Sequence, residues 1–191
     1  MDLKKIAVMS TTMKREKQLI NLACIETPLG TMIACATQKG ICLLEFSDRK
    51  MLGTEFKMIT KAFKAPIIQG ENIFFKTLKQ QLDSYFQGKL KEFTIPLDWV
   101  GSDFQKEVWK VLLQIPYGNT STYAVQAQRI GKLSSVRAVA NANGMNKISL
   151  LVPCHRVISS NGSLTGYGGG IWRKKKLLEL EANASLQLKL F

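Results

Sequence analysis

Histidine is nearly absent from this chain: His155 is the only one among 191 residues, and no Cys-x-x-Cys or His-x-x-x-His pair occurs. The ligand spacings of structural zinc sites are therefore missing, and neither a metal nor a cofactor is expected. Acidic residues are scarce too, 14 against 27 Lys and Arg, which leaves a net charge of +13. An excess of that size points toward a polyanionic partner, with membrane surfaces and the ribosome as the bland competitors. The excess leans C-terminal, +5 through Asp98 and +8 from Trp99 onward. Long apolar runs are lacking as well. The longest tracts without a charge, such as Val111 to Gln128, are broken by Pro116 and Gly118, so no bilayer span of ~20 apolar residues is expected. The first 18 residues hold no apolar stretch of the ~7 or more residues that a secretory signal carries, so the expected location is cytoplasmic.

What is present is a globular composition, 46% apolar and 21% charged, over a length that suits one large or two small domains. Residues 1–18 are basic and aperiodic and read as a loose tail. An N-terminal α/β domain is expected over 19–98. Leu19 to Glu26, Thr31 to Gln38 and Ile41 to Phe46 read as a small antiparallel sheet with turns at Pro-Leu-Gly and Lys-Gly. Met51, Leu52, Phe56, Ile59 and Phe63 recur at helical spacing, as do Phe74, Phe75, Leu78, Leu82 and Phe86 after a break at Pro66 to Gly70. Phe93 to Trp99 reads as an edge strand or linker that ends the domain.

A mainly α C-terminal domain is expected over 99–191. Ser102-Asp-Phe-Gln105 is a capping-box pattern that opens a helix running to Pro116. Thr122 to Ile130, a break at Gly131-Lys132-Leu133, and Ser134 to Asn143 follow helix-turn-helix grammar, which any αα-hairpin shares. Beyond Arg137 the second helix offers Ala138, Ala140, Asn141, Ala142 and Asn143 as its surface. Small side chains let a helix enter a groove as narrow as a minor groove, ~6 Å wide. Ile148 to Val152 reads as a short strand delivering Pro153-Cys154-His155-Arg156. Gly166-Tyr167-Gly168-Gly169-Gly170 then makes a glycine-rich loop without a phosphate-binding ending, and a basic helix follows from about Trp172 to Ala182.

Cys24, Cys35 and Cys42 sit among apolar and small residues and read as inert core. Cys154 differs, because it stands beside the lone histidine. A cysteine attacks as the thiolate, and a free pKa of ~8.5 leaves only a few per cent ionised at neutral pH. His155 is an available activator, through a bend after Pro153 or a bridging water, and a carboxylate would orient it. Glu179 and Glu181 both stand on the last helix, and spacing does not choose between them.

Pro153-Cys154-His155-Arg156-Val157 closely resembles the active-site signature of the 6-O-alkylguanine-DNA alkyltransferase family. Phe104-Gln105 to Trp109, Ile115-Pro116-Tyr117-Gly118, Thr122-Tyr123, Val136-Arg137-Ala138-Val139, Asn146 and Gly166-Tyr167 fall in the family's order across about 102–182. The resemblance implies a winged helix-turn-helix-like DNA-binding unit and direct repair. An alkyl group on oxygen 6 of guanine, or on oxygen 4 of thymine, would move irreversibly to Cys154 in a single-turnover methyltransferase reaction. It also implies a catalytic set of Cys154, His155, Glu181, Asn146 and Tyr123, which selects Glu181 over Glu179. Arg137, Ser135, Ala138, Asn141 and Tyr123 would contact DNA in the minor groove, Arg137 filling the place of the extruded base. Val157, Tyr167, Gly168 and Gly169 would form the base pocket. The implied partner is double-stranded DNA containing alkylated guanine, met by a monomer associated with the nucleoid if the source is bacterial.

Lys147 stands where many members carry proline and, with Ser149, is expected on the pocket wall. The side-chain-free glycine loop is expected to leave the opposite rim open to alkyl groups as large as benzyl. Two readings of other classes compete: a Cys-His thiol hydrolase, which would turn over, and a non-catalytic helix-turn-helix regulator, which would bind DNA without Cys154.

Overall fold

The computed structural model describes residues 18–187, so nearly all of the expected basic tail lies outside the described residues. The chain first lays down β1 (Ile20–Ile25), β2 (Met32–Ala36) and β3 (Ile41–Phe46) as an antiparallel meander, with Cys24 opposite Ile33 and Leu44 opposite Ala34. A helix, α1 (Leu52–Phe63), crosses over and stops at Lys64, which turns left-handed at φ 51°. The expected break at Pro66 to Gly70 is in fact a strand, β4 (Ile67–Gln69), parallel to β1. The sheet is therefore mixed rather than purely antiparallel, in the order β3-β2-β1-β4. Three residues are too few to show alternation, and the proline stands just outside the ladder, where its missing N–H costs nothing while its carbonyl accepts from Ile20 N at 3.0 Å.

By pairing, β3 is an edge, yet all six of its residues are buried. Parallel bridges from Leu97 to Ile41 and from Ile148 to Leu44 cover it, so the end of the N-terminal half and the segment before Cys154 together close the sheet edge. The helix α2 (Ile73–Phe86), started by the Asn72 side chain accepting from Phe74 N, presses Phe75, Leu78, Leu82 and Tyr85 into the core. Next comes α3 (Asp103–Leu112), with the expected capping box formed on both sides: Gln105 N donates to Ser102 Oγ, and Ser102 N donates to Gln105 Oε1. One hydrophobic core runs unbroken from the sheet and α2 through α3 to Cys154 and Leu177, so the two halves fold around shared side chains.

The helix pair is present as α4 (Tyr123–Arg129) and α5 (Val136–Gly144), joined through Gly131 and a 3-10 turn at Leu133–Ser135. Beside it, two-residue strands β5 (Ser121–Thr122) and β6 (Val157–Ile158) pair in parallel. The last element is α6 (Ile171–Gln187). Among the described residues no helix is long and apolar enough to cross a membrane.

Three expectations fail here for physical reasons. Ile148 to Val152 is not a strand: only Ile148 bridges, and the rest coils through tight turns, because a buried apolar run has the same composition whether extended or folded back. Cys24 is exposed rather than core: the register puts it on the same face as Cys35, but it stands near the end of β1, where that face is left uncovered. On α5, Ala142 and Asn143 are buried instead of lining the outer surface. The Asn143 and Gln126 side chains trade hydrogen bonds, Nδ2 to Oε1 at 2.7 Å and Nε2 to Oδ1 at 3.2 Å, and Gln126 Nε2 also reaches Val108 O at 3.0 Å.

This amide pair fastens α4 to α5 without a salt bridge. Asn143→Ala should cost about 2 kcal/mol, because it leaves a buried amide half-satisfied as well as removing two bonds. Chemical denaturation reads the loss, and the Asn143→Ala, Gln126→Ala pair should lose less than the sum of the single changes.

Candidate active site

Cys154 is delivered by a short, tightly wound segment. Asn146 organises it: the Oδ1 atom accepts from Ile148 N at 3.0 Å, and Nδ2 donates to Val152 O at 2.9 Å and to Cys154 Sγ at 3.3 Å. Between these anchors Leu151 N donates to Ser149 O at 2.9 Å, closing a three-residue turn around Leu150 at φ 71°, a conformation rare for a residue with a Cβ. A second such turn, around Pro153 at φ −82° and ψ 61°, bonds Cys154 N to Val152 O at 2.8 Å and leads into the 3-10 turn Cys154–Arg156. Sequence neighbours on a 3-10 turn diverge, so His155 points away from the thiol toward α6.

There His155 Nε2 meets Glu181 Oε1 at 2.9 Å. Glu181 is fully buried and also accepts from Arg156 Nε at 2.9 Å, Arg156 Nη2 at 3.0 Å, Tyr85 Oη at 2.8 Å and Gly118 N at 3.1 Å. Burial alone would raise its pKa, but the His155 and Arg156 bonds win and hold it at about 2. An ionised Glu181 makes Nε2 the donor, which leaves the Nδ1 lone pair of a neutral imidazole free to accept a proton; Nδ1 has no hydrogen-bond partner among the described residues. Burial also pushes the His155 pKa down, against the pull of Glu181. Glu179, left open beside Glu181 on spacing, is 44% exposed and pairs with Lys176 at 3.1 Å.

The thiol itself is only 8% exposed. Burial pushes its pKa up to about 11; the Asn146 hydrogen bond lowers it, Glu45 raises it, and Arg49 and Lys174 lower it. Lys174 Nζ donates to Val157 O at 2.6 Å and Thr165 O at 2.7 Å, stitching β6 to the glycine loop, and Tyr123 Oη donates to Thr165 O at 3.2 Å. The Tyr167 ring stands edge-on to His155, with centroids 6.4 Å apart. Cys154, His155, Asn146, Glu181, Tyr123, Val157 and Tyr167 are thus gathered around one point. Arg137, Ala138 and Asn141 share the exposed side of α5, and Ser135 precedes its first turn, half-buried.

The expected pocket walls are different. Lys147 turns away from the thiol, buried with its Nζ 5.4 Å from the Trp109 ring centroid and donating to Val100 O and Met145 O. Ser149 is buried beside Glu45 and Tyr167. Gly168 and Gly169 do not make an open rim. A Cβ on Gly168 would fall on the Arg49 guanidinium, and one on Gly169 would strike Phe46 and Tyr167, so this loop is side-chain-free because β3 and its following turn pack onto it. A cleft of about 520 Å³ lies over the loop, lined by Asp48, Arg49, Gly144, Tyr167, Gly168 and Trp172; Cys154 is not among its lining residues.

Arg49, Glu45, Tyr85, Arg156 and Lys174 were not anticipated as site residues. One signal for the first two was available: Glu45 is the lone carboxylate of an otherwise apolar strand, with Arg49 four residues on. No cluster of three or more His, Cys, Asp or Glu that could hold a metal occurs among the described residues.

Fold and site define a protein in which a small mixed sheet and a helix-pair half share one core around a buried thiol held by Asn146. The chain matches the 6-O-methylguanine DNA methyltransferase ribonuclease-like domain over residues 20–99 and the DNA binding domain of the same family over 103–183. It is 44% identical over 160 residues to a methylated-DNA–protein-cysteine methyltransferase of Methanosarcina barkeri, a match covering 83% of this chain and 95% of that one. The crystal structure of Mycobacterium tuberculosis O6-methylguanine methyltransferase superposes with a TM-score of 0.74 at 39% identity, over 87% of this chain and 94% of that one. A structure of the M. tuberculosis protein in complex with DNA gives the same TM-score at 40% identity, over 86% and 94%. The chain belongs to the 6-O-methylguanine DNA methyltransferase family.

The Glu181 network makes a pH prediction. Its carboxyl sits near 2 when folded against an ordinary 4.5, so its stabilisation is complete above pH 4.5 and drains as pH falls toward 2. The loss amounts to roughly 3 kcal/mol. The melting temperature should drop steeply across that window, and the ¹³C shift of the Glu181 carboxyl, followed by NMR, should show no titration above pH 4.

Proposed function

We propose that this protein repairs DNA directly by moving the alkyl group of 6-O-alkylguanine, and of 4-O-alkylthymine, onto Cys154. The observation that carries this reading is the thiol held by Asn146 at 3.3 Å, beside an imidazole whose far nitrogen is fixed by Glu181 at 2.9 Å. Duplex DNA meets the helix pair through its minor groove, with Ser135, Ala138 and Asn141 of α5 against the backbone and Arg137 filling the stack vacated by the extruded nucleotide. Tyr123 contacts that nucleotide, and Val157, Tyr167 and the backbone of Gly168 and Gly169 receive the base. The thiol gives its proton toward His155 Nδ1 through a bridging water. Sulfur then attacks the alkyl carbon as the carbon–oxygen bond breaks.

Electrons from that bond go to the guanine oxygen. Overall the thiol's proton ends on guanine, with the Tyr123 hydroxyl donating a hydrogen bond to the leaving base. The product is a thioether, and a thiolate departs from an sp3 carbon too reluctantly for water to displace it even beside a general base, so each chain acts once. A thiol hydrolase would need turnover, and a regulator would not need the thiol. The protein acts as a monomer, reached by DNA under a salt-dependent pull from its +13 charge.

Intact-mass measurement after mixing with duplex DNA carrying 6-O-methylguanine should show a gain of one CH₂ per chain, mapped to the Cys154 peptide. Cys154→Ala should abolish the gain and keep DNA binding; transfer to Cys24, or none at all, would refute the assignment. Arg137→Ala should slow repair of duplex about tenfold or more, because the vacated stack is no longer filled. Lys61→Ala, on α1 in the other half of the chain, serves as the charge-matched control and should change repair little.

A further inference from the structure

The thiol pocket has an uninvited neighbour from the N-terminal half. Arg49, in the turn after β3, is buried, and its Nε and Nη2 atoms engage Glu55 Oε1 at 2.9 and 2.8 Å. The same guanidinium continues across the domain boundary, where Nη2 donates to Gly144 O at 2.9 Å and Asn146 O at 3.4 Å. Gly144 ends α5, and Asn146 is the residue whose side chain holds the thiol. The guanidinium also occupies the space that a Cβ on Gly168 would fill, so it fixes the glycine loop from above.

We propose that Arg49 is a positioning residue of the transfer reaction, which sets Asn146, the end of α5 and the glycine loop in register and holds a positive charge near Cys154 against the buried Glu45. The proposal rests on Cys154 being the alkyl acceptor. Glu45 stands 3.5 Å from Arg49, and the Ser149 side chain and the Phe46 backbone also lower its pKa, though less than burial raises it. A fully buried carboxylate with so few donors is costly to keep charged. Burial pushes its pKa up to about 8, so Glu45 is ionised in the alkaline range where the thiol begins to lose its proton.

The groups acting on Cys154 come from every side: Asn146 from the loop after α5, Glu45 and Arg49 from the sheet side and Lys174 from α6. Tyr123 of α4 and Tyr167 of the glycine loop feel the thiol's charge in turn. His155, backed by Glu181, Arg156 and Tyr85, completes the ring, and Lys147 feels the charges of Glu55, Arg49 and Glu45. Within that ring Arg49 and Glu45 act on the thiolate with opposite signs from the same end of β3. A residue that merely propped the fold would not give opposite responses when it and its neighbour are neutralised.

The test uses the full chain as wild type, Arg49→Met, Glu45→Gln and Arg49→Lys. Two readouts are followed against pH: iodoacetamide alkylation at the Cys154 peptide without DNA, and single-turnover methyl transfer from duplex 6-O-methylguanine. Peptide mapping is needed because Cys24 is exposed and reacts as well. Arg49→Met should move the Cys154 midpoint up by about one unit and Glu45→Gln should move it down by a similar amount. Arg49→Lys keeps the charge but cannot span Glu55 and both carbonyls, so its midpoint should stay near wild type while transfer slows about tenfold.

Midpoints that stay at the wild-type value, or that move in the same direction in Arg49→Met and Glu45→Gln, would overturn the proposal. Should Arg49→Met lack a cooperative melt, Glu45→Gln and Arg49→Lys decide alone, and a Glu45→Gln midpoint that does not fall is sufficient to reject it. A wild type that takes no methyl group while its midpoints still shift as expected would instead count against the repair function.

Discussion

A single buried carboxylate organises this molecule. Glu181 carries a full charge in the core, a placement that costs several kcal/mol unless donors surround it. They do: the Arg156 fork, the His155 imidazole, the Tyr85 hydroxyl and the Gly118 amide converge on its two oxygens. These donors come from α2, from the turn after α3 and from the segment carrying the thiol, so satisfying one charge brings three separate parts of the chain together. Arg156 extends the link by donating to Ile115 O at 2.7 Å. The imidazole is thereby held in one tautomer and one orientation, as its proposed role of proton acceptor requires.

The second constraint is the thiol segment's own shape. Leu150 at φ 71° costs on the order of 1 kcal/mol, and the residues around it offer little regular hydrogen bonding of their own. Outside partners compensate. Leu44 N donates to Lys147 O and Ser149 N donates to Leu44 O, both at 2.8 Å, so β3 treats the segment as an additional strand for the length of one residue pair. Asn146 binds it from within. The N-terminal sheet is therefore part of the scaffold of the reactive cysteine, and the unbroken core on either side of Trp99 is the packing expression of the same dependence.

What could be read from the chain alone follows from how local each cause is. The α3 start was legible because a capping box is complete within four residues, and the β1–β3 meander because its turns carry their own signals. The parallel strand β4 was hidden, since its three residues make sense only beside β1. Ile148 to Val152 was misread because burial of both faces removes the periodicity that separates strand from coil. Glu179 and Glu181 lie two residues apart, on opposite sides of α6, so only knowing which side meets His155 distinguishes them. Asn143 looked like surface because polarity stands for exposure until a partner such as Gln126 is placed against it. Arg49 was missed for the same reason: its partners Gly144 and Asn146 are nearly a hundred residues away and offer only carbonyls, which no side-chain pattern records.

In the proposed reaction each chain acts once, and the resting state of the thiol bears on that. With its pKa pushed up to about 11, Cys154 is ionised in only about one chain in 10⁴ at pH 7, far less than an ordinary exposed cysteine. That looks unfavourable for a nucleophile, but it keeps a single-use group from being spent on stray electrophiles in water. Burial is the dominant cause, and it is also what makes neighbouring charges effective, because Arg49, Lys174 and Glu45 act through a low dielectric. In that proposed reaction a base seated in the pocket supplies the other half of the balance: its developing negative charge and the imidazole's free nitrogen give the thiol's proton somewhere to go at the moment sulfur attacks. Reactivity is thus tied to substrate geometry rather than to a standing population of thiolate, and the buried cluster at the end of β3 sets how large the remaining barrier to ionisation is.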